Sequence, residues 1–586
     1  MGRGGGCTDV RRPCSLIVNP DVDRGLVCKT TKTVQQRLQT ASSTWEQMHH
    51  PTPAAKWKPS VYFPEWRGCF GCAHLNRSAT KRHCGSKCVG SLCCSGHGTC
   101  DAGVCRCAPG FAGLDCAEPT TPVSPSSTPP PPAHGGGVRI YVYPVPPELG
   151  GKTFAVEAWQ DKVRPIYAAE WRFADSLLRD GDVRTLDGER ADLYYVPLLA
   201  TTGPGGCERG LTSLLVRHVR TAYPWYNRSG GLDHVFFVVA DKGGCGLGAT
   251  GTPHILLTHL GWLGSNELWR VKDPHQREAM EPSLLGNATA LRRAAAAGSG
   301  CFAPHKDVVV PPTATHELTQ KEREKARAAA AEPRRSWEHA LVHAGGVWGW
   351  KNFGPQRPSS YSLGMRQALF LTYGEQQGPD GLYVSNRSVK GGPPGSGGGP
   401  PPPRASWERS KFCLSTAGHG WGVRTARAVA LSCLPLVAQP HIVQPFEGLL
   451  DYASFSRRVG SLREVANASD ILRAVDAAKV ATMRTTLGAL APAFSWERRH
   501  GGLAYEYTVL ALCHRAEELR GRLRTPGATC AHHARAAQLG GVDGGTRGLR
   551  TPPWFTPQLA AATAEGIARR RAALKRRLRR RRRRRR

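Results

Sequence analysis

Along this chain the pattern of apolar and polar positions changes character at Val138. From there to about residue 520, short apolar runs alternate with amphipathic stretches. Arg139-Ile-Tyr-Val-Tyr143 is a short β-rich run. Tyr167 to Leu178 gathers aromatic and apolar residues near one face of a helix. Leu193-Tyr-Tyr-Val-Pro-Leu198 reads as a strand. His234-Val-Phe-Phe-Val-Val-Ala240 is a continuous apolar run of the kind found in a buried parallel strand. Such alternation predicts α/β units around mainly parallel sheets. Lys411 to Gln439 repeats the theme as strand, Gly-rich loop, helix and short strand. Residues 391–403, GGPPGSGGGPPPP, cannot enter a core and predict an exposed loop insertion. Residues 316–335 are helix-prone and charged, a candidate bridge between two lobes.

The rest of the chain is organised differently. Residues 1–83 are irregular, and no function attaches to them. Residues 84–116 are dense in cysteine, 117–137 form a Pro/Ser/Gly linker expected to be extended and mobile, and 521–586 are an extension ending in arginines. The alternating region divides into an N-terminal lobe over 138–335 and a C-terminal lobe over 336–520. Of 20 Cys, thirteen lie in the first 116 residues. That density marks a disulfide-stapled module made in an oxidising compartment. Five of only eight Asn open an N-x-S/T sequon: Asn76, Asn227, Asn287, Asn386 and Asn467. This excess points to the glycosylation machinery. Against both signs, the N-terminus shows no apolar run long enough for a signal peptide or membrane anchor.

Hydrophobic content of 40% and charged content of 21% allow a large core. The net charge of +34 suggests nucleic acid until its distribution is considered. Arg569 to Arg586 carries fourteen Lys and Arg and no acid, which leaves +20 for the remainder. Such a block stays solvated. It reads as a low-complexity terminus, and nucleic acid is not expected as a partner.

Candidate chemistry concentrates in the Gly-rich loop. Gly418, Gly420 and Gly422 allow close backbone approach to a ligand, and the helix after them turns its positive end toward the loop. Arg424, in that helix's first turn, adds a fork suited to phosphate oxygens. Together these form a diphosphate cradle; a tight turn in a strand–helix unit is the plainer alternative. No G-K-[ST] is present, so a Walker loop is excluded. Asp241 follows the apolar run ending at Ala240, at a strand end where open α/β sheets bind ligands. It is the tentative base for taking a proton from an acceptor hydroxyl, set against a loop Asp that caps a turn.

Two resemblances follow from these residues. Cys94-Ser-Gly-His-Gly-Thr-Cys100-Asp-Ala-Gly-Val-Cys105-Arg-Cys107-Ala-Pro-Gly-Phe-Ala-Gly-Leu-Asp-Cys116 resembles an EGF-like repeat of the tenascin kind. The resemblance implies Cys94–Cys105 and Cys107–Cys116 bridges, with Cys100 joined to Cys88 or Cys93. A zinc site competes, but two clean Cys-x-x-Cys knuckles are lacking. The acidic pattern of a calcium site is not evident.

The stretch Lys411-Phe-Cys-Leu to Gln439, continued by Gln444-Pro-Phe-Glu447 and Asp451-Tyr452, resembles the C-terminal signature of the exostosin glycosyltransferases. Ile140-Tyr-Val-Tyr143, Ala191-Asp-Leu-Tyr-Tyr-Val-Pro197, Tyr223-Pro-Trp-Tyr-Asn-Arg-Ser-Gly-Gly-Leu-Asp-His-Val-Phe-Phe237, Lys306-Asp-Val-Val-Val-Pro311 and Tyr361 to Gln367 match further family segments in order. The family implies a GT-B-like pair of Rossmann-like lobes. It also implies a nucleotide-sugar donor and a glycan or glycoprotein acceptor in the Golgi, with no cofactor and no metal. By the same analogy Arg424 and Arg366 would face the donor diphosphate, and Gln444 and Glu447 its base or ribose. The family commonly has an acidic residue at Arg427, Glu at Gln444 and often Asp at His419, so this donor pocket is less acidic. A protein partner for the EGF-like module is a further expectation. The alternative function is a non-catalytic secreted binding protein on a degenerate transferase fold.

Overall fold

A computed structural model describes residues 15–17, 27–29, 97–101, 104–112, 115–120, 137–144, 165–198, 208–245, 252–264, 301–313, 337, 339–347, 361–374, 382–386, 407, 410–418, 420–523, 530 and 533. Cys88, Cys93, Cys94, Asn76, Asn287, His419, the 391–403 insertion, the 316–335 segment, most of the 117–137 linker and the arginine tail lie outside the described residues. The chain forms two compact units. One draws on Met1–Ala249, Pro253–Thr258 and Leu512–His532, the other on Thr250–Thr252, His259–Ala511 and His533–Arg586. The described residues from His259 to Thr313 fall in the second unit.

The first unit contains the cysteine module. Strands β1 (Gly98–Asp101) and β2 (Val104–Cys107) pair antiparallel, as do β3 (Phe111–Ala112) and β4 (Glu118–Pro119). Cys107 and Cys116 are joined in a disulfide, and Phe111 packs on the buried Cys116. Strand β4 carries the module past Cys116, into the first residues of the expected linker. Its acids then turn inward. Arg184 binds Asp115 through both terminal nitrogens, at 2.5 and 2.9 Å, and stands 3.7 Å from Glu118. The module is thus anchored to the sheet beside it.

That sheet is parallel and runs, within this unit, in the order β9-β8-β7-β5-β6, from Ile255–Thr258, His234–Val238, Leu193–Tyr195, Ile140–Val142 and Arg184–Thr185. Every residue of β8 is buried, as a strand covered on both faces requires. Helix α1 (Ala169–Arg179) packs Ala169, Phe173, Ala174, Leu177 and Leu178, one face at helical spacing. Its buried Glu170 accepts from the Leu198 amide at 3.1 Å. Around His234, the rings of Tyr143, Tyr194 and Tyr226 close a polar-tipped aromatic cluster. The Tyr143 hydroxyl meets His234 Nε2 at 2.8 Å. The segment Tyr223–Phe237 is therefore a core-building motif. Gly188 is required there, because a Cβ would fall 2.2 Å from the Trp225 ring.

The second unit holds a second parallel sheet, in the order β11-β10-β12-β13-β14. Its strands are β10 (His339–Gly345), β11 (Leu382–Asn386), β12 (Ser410–Thr416), β13 (Leu434–Ala438) and β14 (Arg457–Arg458). Helix α2 (Met365–Tyr373) lies between β10 and β11 in sequence, and α3 (Arg424–Ala430) between β12 and β13. Val342, Trp407, Cys413, Ala428, Leu431 and Cys433 form one core cluster. Two parallel-sheet α/β units are the Rossmann-like pair that the sequence implied. Among the described residues, no helix is long and apolar enough to cross a membrane.

Candidate functional site

The chain leaves β12 at Thr416 and enters α3 at Arg424, at the C-terminal end of the second sheet. Between them lies the glycine turn. Gly422 is needed for close approach, since a Cβ would stand 3.1 Å from the Thr416 carbonyl. Gly418 spends both backbone groups on the protein. Its amide donates to Gly420 O at 3.0 Å, and its carbonyl accepts from the Ser362 amide at 2.9 Å. Both groups thereby help close the turn. Gly420, Gly422 and the half-buried Arg424 complete the described part of the loop.

Arg366 stands under this loop. It is 5% exposed. Its Nε donates to Thr416 Oγ1 at 2.7 Å, and its terminal nitrogens donate to Gly346 O at 3.0 Å, Ala417 O at 2.8 Å and the Tyr361 hydroxyl. A guanidinium so occupied ties the ends of β10 and β12 together. These contacts give Arg366 a framework role under the loop. The turn before α2 is bent to suit it: Ser362, Leu363 and Gly364 have φ of 56°, 53° and 82°. Two consecutive non-glycine residues in the left-handed region cost about 1–3 kcal/mol each, strain that concentrates at functional sites.

Gln444 and Glu447 also look inward. Thr425 bonds Ser415, and its hydroxyl donates to Gln444 Oε1 at 3.2 Å. The Gln444 amide group donates to Ile442 O at 3.0 Å and Gln439 Oε1 at 3.4 Å. Glu447 accepts from the Gln444 backbone amide at 2.7 Å and pairs with Arg458 at 2.5 Å. Polar groups satisfied this way rigidify the wall behind the loop. The structure brings both residues beside the loop, where their polar atoms bond the protein.

Asp241 belongs to the first unit, on the turn after β8, where its carboxylate accepts from the Tyr167 hydroxyl at 2.6 Å. That bond orients the carboxylate, which a disordered loop acid would lack.

Three features of the second unit were not found in the sequence. Cys413 and Cys433 form a disulfide, which closes a loop containing the whole glycine turn and α3. His259 and Trp421 meet edge to face at 4.8 Å, and burial holds the His259 imidazole down at about 4. His343, in the middle of the apolar run of β10, is 0% exposed and neither ring nitrogen has a hydrogen-bond partner. A lone histidine in an apolar strand was the available signal. Cys513, Glu517 and Cys530 have the spacing of a metal site, but the two cysteines are joined in a disulfide and so offer no thiolate.

With this geometry established, comparison with known proteins is decisive. The family model for the exostosin GT47 domain matches residues 135–475, and that for a Teneurin-like EGF domain matches 91–119. The chain belongs to the exostosin GT47 family. Its similar relatives include a probable glucuronoxylan glucuronosyltransferase of Arabidopsis thaliana, 26% identical over 60% of this chain and 66% of that one. A second is the probable glucuronoxylan glucuronosyltransferase IRX7 of the same plant, 24% identical over 60% and 70%. A third is the probable glucuronosyltransferase Os03g0107900 of Oryza sativa subsp. japonica, 26% identical over 62% and 74%. The chain thus spans about two thirds of the length of these relatives. The exostosin match begins just before β5 and ends beyond β14, so both parallel sheets are family structure, while the EGF-like module precedes it.

Proposed function

We propose that this exostosin-family chain transfers a sugar from a nucleotide-sugar donor to a glycan or glycoprotein acceptor in the secretory pathway. The observation that carries the reading is the loop from Gly420 to Arg424. It sits at the C-terminal end of a parallel sheet, where such sheets bind ligands. Arg366 clamps it from below and the Cys413–Cys433 bond closes it at its ends. In this reading Arg424 neutralises the departing nucleoside diphosphate, and a rigid loop holds that charge in place before the bond breaks. No metal or other cofactor is invoked. Asp241, oriented by Tyr167, takes the proton of the acceptor hydroxyl.

The secretory placement rests on the disulfides Cys107–Cys116, Cys413–Cys433 and Cys513–Cys530, and on exposed sequons at Asn227 and Asn467. Relatives carrying glucuronosyltransferase names make a nucleotide glucuronate the first donor to test. Purified protein is incubated with a panel of nucleotide sugars and oligosaccharide acceptors, and release of nucleoside diphosphate is measured. Release from one donor, increased by an acceptor, is expected. A folded protein that neither binds nor cleaves any donor is the outcome that returns the chain to the alternative of a binding protein.

A further inference from the structure

Three of the seven residues from Gly418 to Arg424 are glycines. Glycine gives a backbone freedom that must be lost before a charge can be aimed. The ends of the loop are fixed by backbone bonds. Gly418 bonds Gly420 and Ser362, and the Val423 carbonyl accepts from the Arg427 amide at 2.8 Å. Between those ends Trp421 supplies a side chain. It is 8% exposed, whereas Gly422, Val423 and Arg424 after it are half-buried. Its indole meets the His259 imidazole edge to face, with ring centroids 4.8 Å apart and planes at 66°. Aromatic pairs prefer that arrangement.

His259 is itself firmly braced. Its Nδ1 lies 3.0 Å from the Val310 carbonyl, which can only accept, so that nitrogen carries the proton. The carbonyls on either side are also tied: Val309 O accepts from the Phe446 amide at 2.9 Å, and Pro311 O from Trp496 Nε1 at 2.8 Å. Two residues beyond His259, Gly261–Trp262 pairs antiparallel with Ile442–Val443, the segment that leads into Gln444 behind the loop. A ring held at this many points stays in place, so an indole packed against it fixes the loop that carries it. A tryptophan serving only to fill a core needs no such position. This one stands between two glycines, in the stretch of chain least able to hold its own shape.

We infer that Trp421 is a positioning residue of the donor loop: its indole, seated on the His259 ring, holds Gly420–Gly422 in the conformation that presents Arg424 to the donor diphosphate. This rests on the nucleotide-sugar reading above and adds to it the device that orders the loop before the donor arrives. A loop ordered in advance spares the donor the entropy of ordering it on binding.

The test uses the full chain, with uridine and guanosine diphosphates as probes in titration calorimetry. Amide hydrogen exchange over residues 418–424 and thermal unfolding are measured alongside. His259→Phe and His259→Leu both lose the bond to Val310, and only Phe keeps a ring edge for the indole. The Leu variant should bind the preferred diphosphate about three- to tenfold more weakly than the Phe variant, the equilibrium factor of one aromatic pair. Without ligand it should also exchange faster in the loop. Trp421→Phe should likewise stay closer to wild type than Trp421→Leu, and this pair carries the comparison if the His259 variants do not fold. A role in stability alone would lower the unfolding temperature and leave affinity per folded molecule unchanged. That result, or equal affinity and equal loop exchange in the folded Phe and Leu variants, refutes the inference and leaves the donor reading intact. Failure of the wild-type protein to bind either diphosphate would remove both.

Discussion

Replacing Arg184 with alanine should undo the anchoring of the EGF-like module. The guanidinium makes two bonds to Asp115, at 2.5 and 2.9 Å, and a third to the Leu178 carbonyl at 3.1 Å. The Arg184 side chain is 8% exposed and that of Asp115 0%. Arg184→Ala therefore leaves Asp115 buried without its cation and removes the charge facing Glu118. Breaking a buried pair from one side costs about 3–5 kcal/mol. In a unit of this size that corresponds to a fall in Tm on the order of 10 °C. Glu118 adds a pH dependence. Burial outweighs the nearby Arg184 and raises its carboxyl to about 7. A carboxyl raised in the folded state contributes stability that is complete below its unfolded value of 4.5 and is lost as pH rises through about 7. A shift of that size is worth about 3 kcal/mol. The assays are thermal unfolding from pH 5 to 8 and limited proteolysis of the module. Arg184→Ala should unfold earlier and expose the module to cleavage, and Glu118→Gln should flatten the pH slope. A folded Arg184→Ala protein with unchanged Tm and unchanged proteolysis would show that Arg184 does not anchor the module.

The other predictions concern the second unit and the surface. Arg424→Ala should lower turnover by about 10²–10³-fold without loss of folding, and Arg424→Lys should recover only part, because lysine keeps the charge and loses the fork; steady-state kinetics with the identified donor decide it, and normal turnover would remove Arg424 from the site. Replacing Cys413 and Cys433 together by alanine should destabilise the protein by about 3 kcal/mol, the loop-closure value for a separation of 20 residues; denaturant unfolding measures this, and an unchanged midpoint would mean that the bond adds nothing. Asn227 and Asn467 should carry glycans in material from a secretory host, which peptide mass mapping after glycosidase treatment would detect or exclude.

What the sequence revealed and what it hid divide along one physical line. Local pattern was readable. The apolar run at His234–Ala240 contains the fully buried strand His234–Val238, and the stretch from Tyr167 contains helix Ala169–Arg179, because burial and periodicity are written in consecutive residues. The strand–loop–helix around Gly418–Gly422 was readable for the same reason. Partners far apart in the chain were not. Arg184 meets Asp115 across 69 residues and stands beside Glu118, so the segment after Cys116 read as free linker although its one acid, Glu118, is buried. Arg366 shows its charge in the sequence and not its acceptors; Thr416 and Ala417 lie 50 and 51 residues away. The contacts of Gln444 and Glu447 were hidden in the same way: Thr425, Gln439 and Arg458 engage their polar atoms, and Thr425 and Arg458 lie 19 and 11 residues away.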